Sequence, residues 1–301
     1  MKLDGRLASK IEGGDFIVTA EYLPRPETNA SAIELCASSL TNGPIAVNVA
    51  DNHYGIAMSS LVASVALSRV GIEPVYQMVT RDRNRIALQS DLIGAAFLGI
   101  KNVLCLSGYH QTLMGCPESA NVFDIDSIQL IATVKKMNEE RSLLDGTKIE
   151  GQFSMLIGAV ANPYLKPLEL NIIRLNKKIV AGANFIQTQA VFDVESFFKW
   201  LEALHNEGIT GKVAILAGVM PLVSYAEAKK LSDTYTDLNI PEDVLLRMKK
   251  AGNEEEQKKE GLAICSEIIK SIKRMPGLRG IHILSGGKET SVPQIMSAAS
   301  L

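Results

Sequence analysis

A closed (β/α)8 barrel is the fold class the sequence predicts, and three observations predict it. Eight short runs rich in β-branched residues recur along the chain, and five of the seven start-to-start spacings fall between 28 and 32 residues. A strand, a turn, a helix of three or four turns and a second turn need roughly that length, so each such interval holds one βα unit. Several runs are continuously apolar instead of alternating, as parallel strands buried on both faces are. No composition shift, linker or low-complexity tract divides the 301 residues, which predicts one barrel domain over 1–301. Periodicity alone does not show closure, so an open doubly wound sheet stays the competing arrangement.

The runs are FIVTAEY (16–22), PIAVNVAD (44–51), EPVYQMVT (73–80), NVLCLSG (102–108), FSMLIGAVA (153–161), FIQTQAVF (185–192), VAILAGVMP (213–221) and GIHILSG (280–286). The segments between them carry helical periodicity. Ahead of the sixth run, Ile172, Leu175 and Ile179 form a core-facing stripe flanked by a polar stripe of Asn171, Arg174 and Lys178, and Gly182 supplies the stop. Two intervals are long. Residues 109–127 read as an extended loop after the fourth strand, at the end where barrel enzymes carry their sites. Residues 222–279 have room for two or three extra helices before the eighth strand. Within them KKAGNEEEQKKE sets Glu254 four residues before Lys258 and Glu255 four before Lys259, the pattern of a solvated helix face.

Composition excludes several classes of function. With 31 Lys and Arg against 33 Asp and Glu, a net charge of -2 and no run of five like charges, the chain lacks the concentrated basic field that nucleic acid or a membrane surface requires. No apolar run approaches a membrane span, and the charged start MKLDGRLASKIEGGD lacks the apolar core of a secretion signal. Cys36, Cys105, Cys116 and Cys265 form no CxxC pair, a usage that fits a reducing cytoplasm. His53, His110, His205 and His282 show no metal-ligand spacing, so no metal site is expected.

In a barrel, reactive side chains are sought at strand C-terminal ends. Glu21 ends the first strand; a carboxyl inside an apolar mouth has its pKa raised by desolvation, as a general acid at neutral pH requires. A salt-bridged structural glutamate is the alternative. Gln187 and Gln189 sit at i, i+2 on the sixth strand and can both face the lumen, where amides suit a neutral heterocycle with mixed donor and acceptor edges. Packing alone would also account for them. The run Arg81-Asp82-Arg83-Asn84-Arg85 could grip an anion or pair with itself. Gly286-Gly287-Lys288 lacks the spacing of a Walker loop and reads as a turn, with a backbone phosphate contact as the lesser reading.

The order of TAEYLPRP, AGANFIQTQAVFDVESF, AGVMPLVSYAEAKKL and GIHILSGGKE resembles the methylenetetrahydrofolate reductases over nearly the whole chain. The combination of AGAN-x-x-x-TQ-x-x-FD with the later proline block is specific, and the compact length and TRDRNR look most like bacterial forms. The resemblance implies a flavin-bearing barrel, with FAD expected over FMN. It also implies hydride transfer from flavin N5 to the methylene carbon of 5,10-methylenetetrahydrofolate, giving 5-methyltetrahydrofolate, or the reverse. Glu21 matches the family's general acid, which protonates folate N10 to open an electrophilic iminium. Gln189 matches its folate-contacting glutamine, with Gln187 beside it, and Tyr225 stands where an aromatic ring packs on folate or nicotinamide. Asn48, Gln77, Ser107 and Gly108 lie in strand-end segments that line the flavin in relatives. So do Phe123, Asp124 and Ala159, and the helix face of Asn171, Arg174 and Lys178.

Two departures stand out. The family carries an acid after the fourth-strand glycine where this chain reads Ser107-Gly108-Tyr109, and Gln77 replaces a third-strand histidine. By electrostatics alone, loss of the acid eases formation of an anionic reduced flavin and stabilises a cationic iminium less, while Tyr109 offers a ring or a phenol hydrogen bond. These departures imply a second reading: a diverged folate-binding subunit serving a corrinoid methyl-transfer or electron-transfer complex, with little NAD(P)H activity of its own. The expected partners are therefore a folate substrate, a partner subunit as electron donor and further copies in a homo-oligomer.

Overall fold

The structure, a computed structural model, describes residues 3–301 apart from the side chain of Thr236; Met1 and Lys2 of the charged N-terminal segment lie outside the described residues. Eight parallel strands pair in sequence order and the last closes on the first, so the barrel is closed and the open sheet is excluded. They are β1 (Ile17–Tyr22), β2 (Ala46–Val49), β3 (Pro74–Val79), β4 (Asn102–Leu106), β5 (Leu156–Ala161), β6 (Phe185–Ala190), β7 (Ala214–Val219) and β8 (Leu278–Ile283). Helix α1 (Arg6–Gly13) precedes β1. Helices α2 (Ala30–Leu40), α3 (Ser60–Arg69), α4 (Arg85–Phe97), α5 (Ser127–Glu140), α6 (Leu168–Ala181) and α7 (Val194–Asn206) then alternate with the strands.

Both long intervals have structural causes. Three helices, α8 (Tyr225–Thr234), α9 (Glu242–Lys250) and α10 (Glu254–Ile272), fill the one before β8, and α11 (Val292–Ala299) follows it. The interval after β4 is long for two reasons, of which the sequence pattern suggested one. An irregular loop runs to α5, and beyond that helix the chain turns back through an antiparallel bridge between Ser142 and Lys148. Asp126 starts α5 with a capping box completed by Gln129. Asn253 does the same for α10 with Glu256, so the glutamates of that charged run sit in a first turn, where the helix dipole favours them. The pair formed there is Glu255 with Lys258, three residues apart, in place of the two four-residue pairs expected.

Because successive strand residues point to opposite sides, one set faces the helices and the other fills the lumen. Ala20, Val47, Tyr76, Cys105, Ala159 and Ile186 belong to the outer core under the helices. The lumen grades from apolar to polar. Its floor packs Ile17, Val75, Leu104, Phe185 and Leu216 against Leu7 and Ala8 of α1, which plugs the N-terminal end. Gly158 makes room for Phe185, since a Cβ there would lie 2.3 Å from the ring. One layer up, Asn48 and Gln187 exchange two amide hydrogen bonds of 2.7 and 3.1 Å. Gln187 also donates to Thr19 Oγ1 at 3.2 Å, and that hydroxyl lies 2.9 Å from His282 Nδ1. Burial pushes His282 down to about 3, so its ring is neutral. All four cysteines are free, and no helix among the described residues is long and apolar enough to cross a membrane.

Candidate active site at the barrel mouth

Above the amide layer the strand ends open into a cavity of about 320 Å³, within the range of small-molecule sites. Glu21, one pleat above Thr19, lies in its wall and is 4% exposed. Burial raises its carboxyl from 4.5 to about 7, the nearby Glu289 charge adds to the shift, and a backbone hydrogen bond from Gly286 opposes it. No salt bridge of Glu21 occurs among the described residues, so the alternative of an ion-paired structural glutamate falls away. Glu289 is itself held in place, accepting from Leu23 N at 3.1 Å and Ser285 Oγ at 3.4 Å.

The two sixth-strand glutamines separate in role. Gln187 has its amide committed within the layer below, whereas Gln189 spends one donor on the Tyr109 hydroxyl at 3.4 Å and is otherwise open. Tyr109 packs its ring 5.8 Å from that of Tyr235. Burial, with the charge of Asp237 and Tyr235 behind it, pushes its phenol up to about 12, so it stays protonated and can donate. Gln77 projects into the cavity with no hydrogen-bond partner for its amide among the described residues, an open valence in a buried side chain.

The flank between β5 and α6 is cationic. Lys178 donates to Val160 O at 2.6 Å, and burial together with Arg174 lowers its ammonium to about 8. Arg174 lines the same cavity and makes no ion pair among the described residues. Asp126 is the carboxylate that acts on Lys178, so the two cations, neither of them in an ion pair among the described residues, form a flank that can take an anion. After the neighbouring strand β4, Gly108 adopts a φ of 84°, and a Cβ would press on Arg81 and Val79 at 3.2 and 3.4 Å, so the backbone stays bare at the mouth. Ser107 lies beside it and accepts from Ser127 N at 3.3 Å.

Other expected site residues stand elsewhere. Ala159 faces the helix layer. Asn171 donates to the carbonyls of Asn162 and Leu165, shaping the turn after β5 and not contributing to the cavity wall. Asp124 forms a bidentate pair with Arg85, and Phe123 is 39% exposed on the neighbouring loop. Tyr225 lies under the Lys249 ammonium, 5.8 Å from its ring centroid, and outside the residues that line the cavity. The arginine run pairs with carboxylates throughout: Arg81 with Asp82, Arg83 with Asp51 and Asp91, Arg85 with Asp124. Its purpose is to pin the β4 loop, as Arg81 also donates to Tyr109 O at 3.3 Å and Asn52 O at 3.2 Å. Sequence reasoning missed Asp237, which reaches the cavity from a 3-10 turn between α8 and α9; nothing in DTYTDLNIPED signals that contact.

A closed parallel barrel with its polar cavity at the C-terminal mouth places the chain among the (β/α)8 proteins that take ligands at that end. Within that class the chain belongs to the methylenetetrahydrofolate reductase family, whose model matches residues 6–300. A 5,10-methylenetetrahydrofolate reductase of Salmonella typhimurium is 26% identical over 217 residues, covering 71% of this chain and 66% of the relative. The Escherichia coli protein of that name is 30% identical over 122 residues, 40% of each chain. A Caenorhabditis elegans relative named for the NADPH-linked reductase is 22% identical over 82% of this chain and 35% of its own length. The chain thus spans between about a third and two thirds of these relatives. Among solved structures, a Clostridium thermocellum protein that binds two copies of 5-methyl-5,6,7,8-tetrahydrofolic acid superposes with a TM-score of 0.68 at 14% identity, covering 98% of this chain and 99% of that one. At that identity the likeness speaks for the fold.

Proposed function

We propose that this chain is an oxidoreductase that interconverts 5,10-methylenetetrahydrofolate and 5-methyltetrahydrofolate in the barrel mouth. One observation carries the reading: Glu21 is buried in a cavity lined with amides and forms no ion pair among the described residues, and burial raises its carboxyl to about 7. Such a carboxyl can deliver a proton to a weakly basic amine nitrogen of the substrate, opening its five-membered ring to an electrophilic iminium. Gln189 and Tyr109 supply neutral donors and acceptors for the heterocycle.

A flavin fits the remaining groups. Arg174 and Lys178 would hold its phosphate, the bare backbone at Gly108 admits a flat ring, and the open Gln77 amide would meet a ring edge. A bound reduced flavin supplies the hydride. FAD is the expected form and FMN the alternative. The rest of the work belongs to the chain: the apolar floor and satisfied amide layer exclude water beneath the site, and the pinned β4 loop fixes Tyr109.

Tyr109 favours a second reading in one respect. A neutral phenol follows Gly108, which suits a subunit that draws electrons from a partner protein or serves a methyl-transfer complex instead of using soluble NAD(P)H. Absorbance of the purified protein, with the released flavin identified by mass, tests the proposal together with anaerobic bleaching by 5-methyltetrahydrofolate. A colourless protein that ignores folates contradicts it. A flavoprotein reduced by a viologen dye but by neither NADH nor NADPH selects the second reading.

A further inference from the structure

Among the described residues three carboxylates line the mouth cavity: Glu21, Asp51 and Asp237. Two are accounted for. Glu21 is buried with its carboxyl raised to about 7, and Asp51 is paired with Arg83 while accepting from Val79 N at 3.0 Å. Asp237 forms no ion pair among the described residues. It arrives from outside the βα framework, on the 3-10 turn Thr236–Leu238 that joins α8 to α9.

That turn is anchored across the ends of β5 and β6. Asn162, after β5, donates to both the carbonyl and the Oδ2 of Asp237 at 3.0 Å. Asn239, in the left-handed conformation with φ 50°, donates to Asp193 Oδ2 at 2.8 Å, and the Tyr164 hydroxyl donates to the Asp193 carbonyl at 3.3 Å. Leu238 is buried beneath. The Asp237 carboxylate is therefore held beside Tyr109 in the cavity that Gln189 also lines, with one oxygen bonded to Asn162 and the other without a partner among the described residues. A fixed carboxylate with a free oxygen at a cavity wall asks for N–H donors from a ligand.

We infer that Asp237 selects the heterocycle of the substrate, accepting hydrogen bonds from the ring N–H and exocyclic amino group of a fused 2-amino-4-oxopyrimidine while Gln189 and Tyr109 bond the same ring system. The inference rests on the folate reading above and adds the residue that recognises the amino edge. A contact of this kind to the free oxygen discriminates because a ligand lacking the amino group leaves that carboxylate oxygen short of a donor.

The test is calorimetric binding of 5-methyltetrahydrofolate and of its 2-desamino analogue to the full chain as purified, with Asp237→Asn and Asp237→Ser. Both variants keep the backbone carbonyl that Asn162 grips, and circular dichroism checks their fold. The native protein should prefer the amino compound by about 10- to 100-fold. In the variants that preference should collapse to within about threefold, chiefly through weaker binding of the amino compound. Native discrimination that survives in both variants overturns the role of Asp237 and leaves the folate reading standing. A native protein that binds neither compound overturns both.

Discussion

The amide layer inside the barrel and the rim above it are built from the same residue types yet differ in what they leave free. In the layer, Asn48, Gln187 and Thr19 bond to one another, and His282 joins them through Nδ1 with its ring neutral. On the rim, among the described residues, Gln77 has no side-chain partner, Gln189 has one long contact, Arg174 has no ion pair, and Asp237 keeps an oxygen open. Buried polar groups that are fully paired rigidify and specify a structure. Those left partly unpaired in a cavity await a ligand. Polarity in a lumen is thus no mark of function; unspent hydrogen-bonding capacity is.

That contrast breaks most visibly at Glu21. Glu21→Gln should slow oxidation of the reduced protein by 5,10-methylenetetrahydrofolate by roughly 10²- to 10⁴-fold while leaving the amount of bound flavin near native; stopped-flow absorbance reads it. Phe185→Ala, below the layer, should do the opposite, costing about 3–5 kcal/mol of stability in denaturant unfolding, with the rate per folded molecule barely changed.

Titration of Glu21 gives a third test. Its folded pKa of about 7 lies above the value of 4.5 expected when unfolded. The folded state therefore holds the extra proton between those values, and the carboxyl's contribution to stability falls as pH rises from about 4.5 to 7, by about 3 kcal/mol in all. Glu21→Gln removes that dependence. The variant should be the more stable protein at pH 8, with its advantage shrinking toward pH 4.5, and denaturant midpoints across the range measure it. The smallest effect belongs to the layer. Asn48→Ala leaves the Gln187 amide oxygen without its donor and should cost about 1–3 kcal/mol, leaving folate affinity within twofold by calorimetry.

Much of this was legible in the chain. Strand spacing and continuous apolar runs predicted the barrel because a βα unit has a fixed length and a parallel strand is buried on both faces. Glu21 was legible from its position at a strand end and from the family resemblance. The division between Gln187 and Gln189 was not, because both face the lumen and only their depth decides which amide finds protein partners. Asp124 and the arginine run were hidden for a related reason: a charged residue reveals its partner only in three dimensions. Asp237 lay furthest from reach, since a turn between two helices carries no periodic signal and meets the mouth through tertiary anchoring alone.

The proposed chemistry at the rim turns on a buried carboxyl that delivers a proton. Single-turnover oxidation of the reduced protein by 5,10-methylenetetrahydrofolate, followed from pH 5 to 9, tests it most directly. The rate should hold steady at low pH and fall about tenfold per unit above an apparent pKa near 7. A profile that is flat across the range, or that already breaks near the ordinary carboxylate value of 4.5, would contradict it.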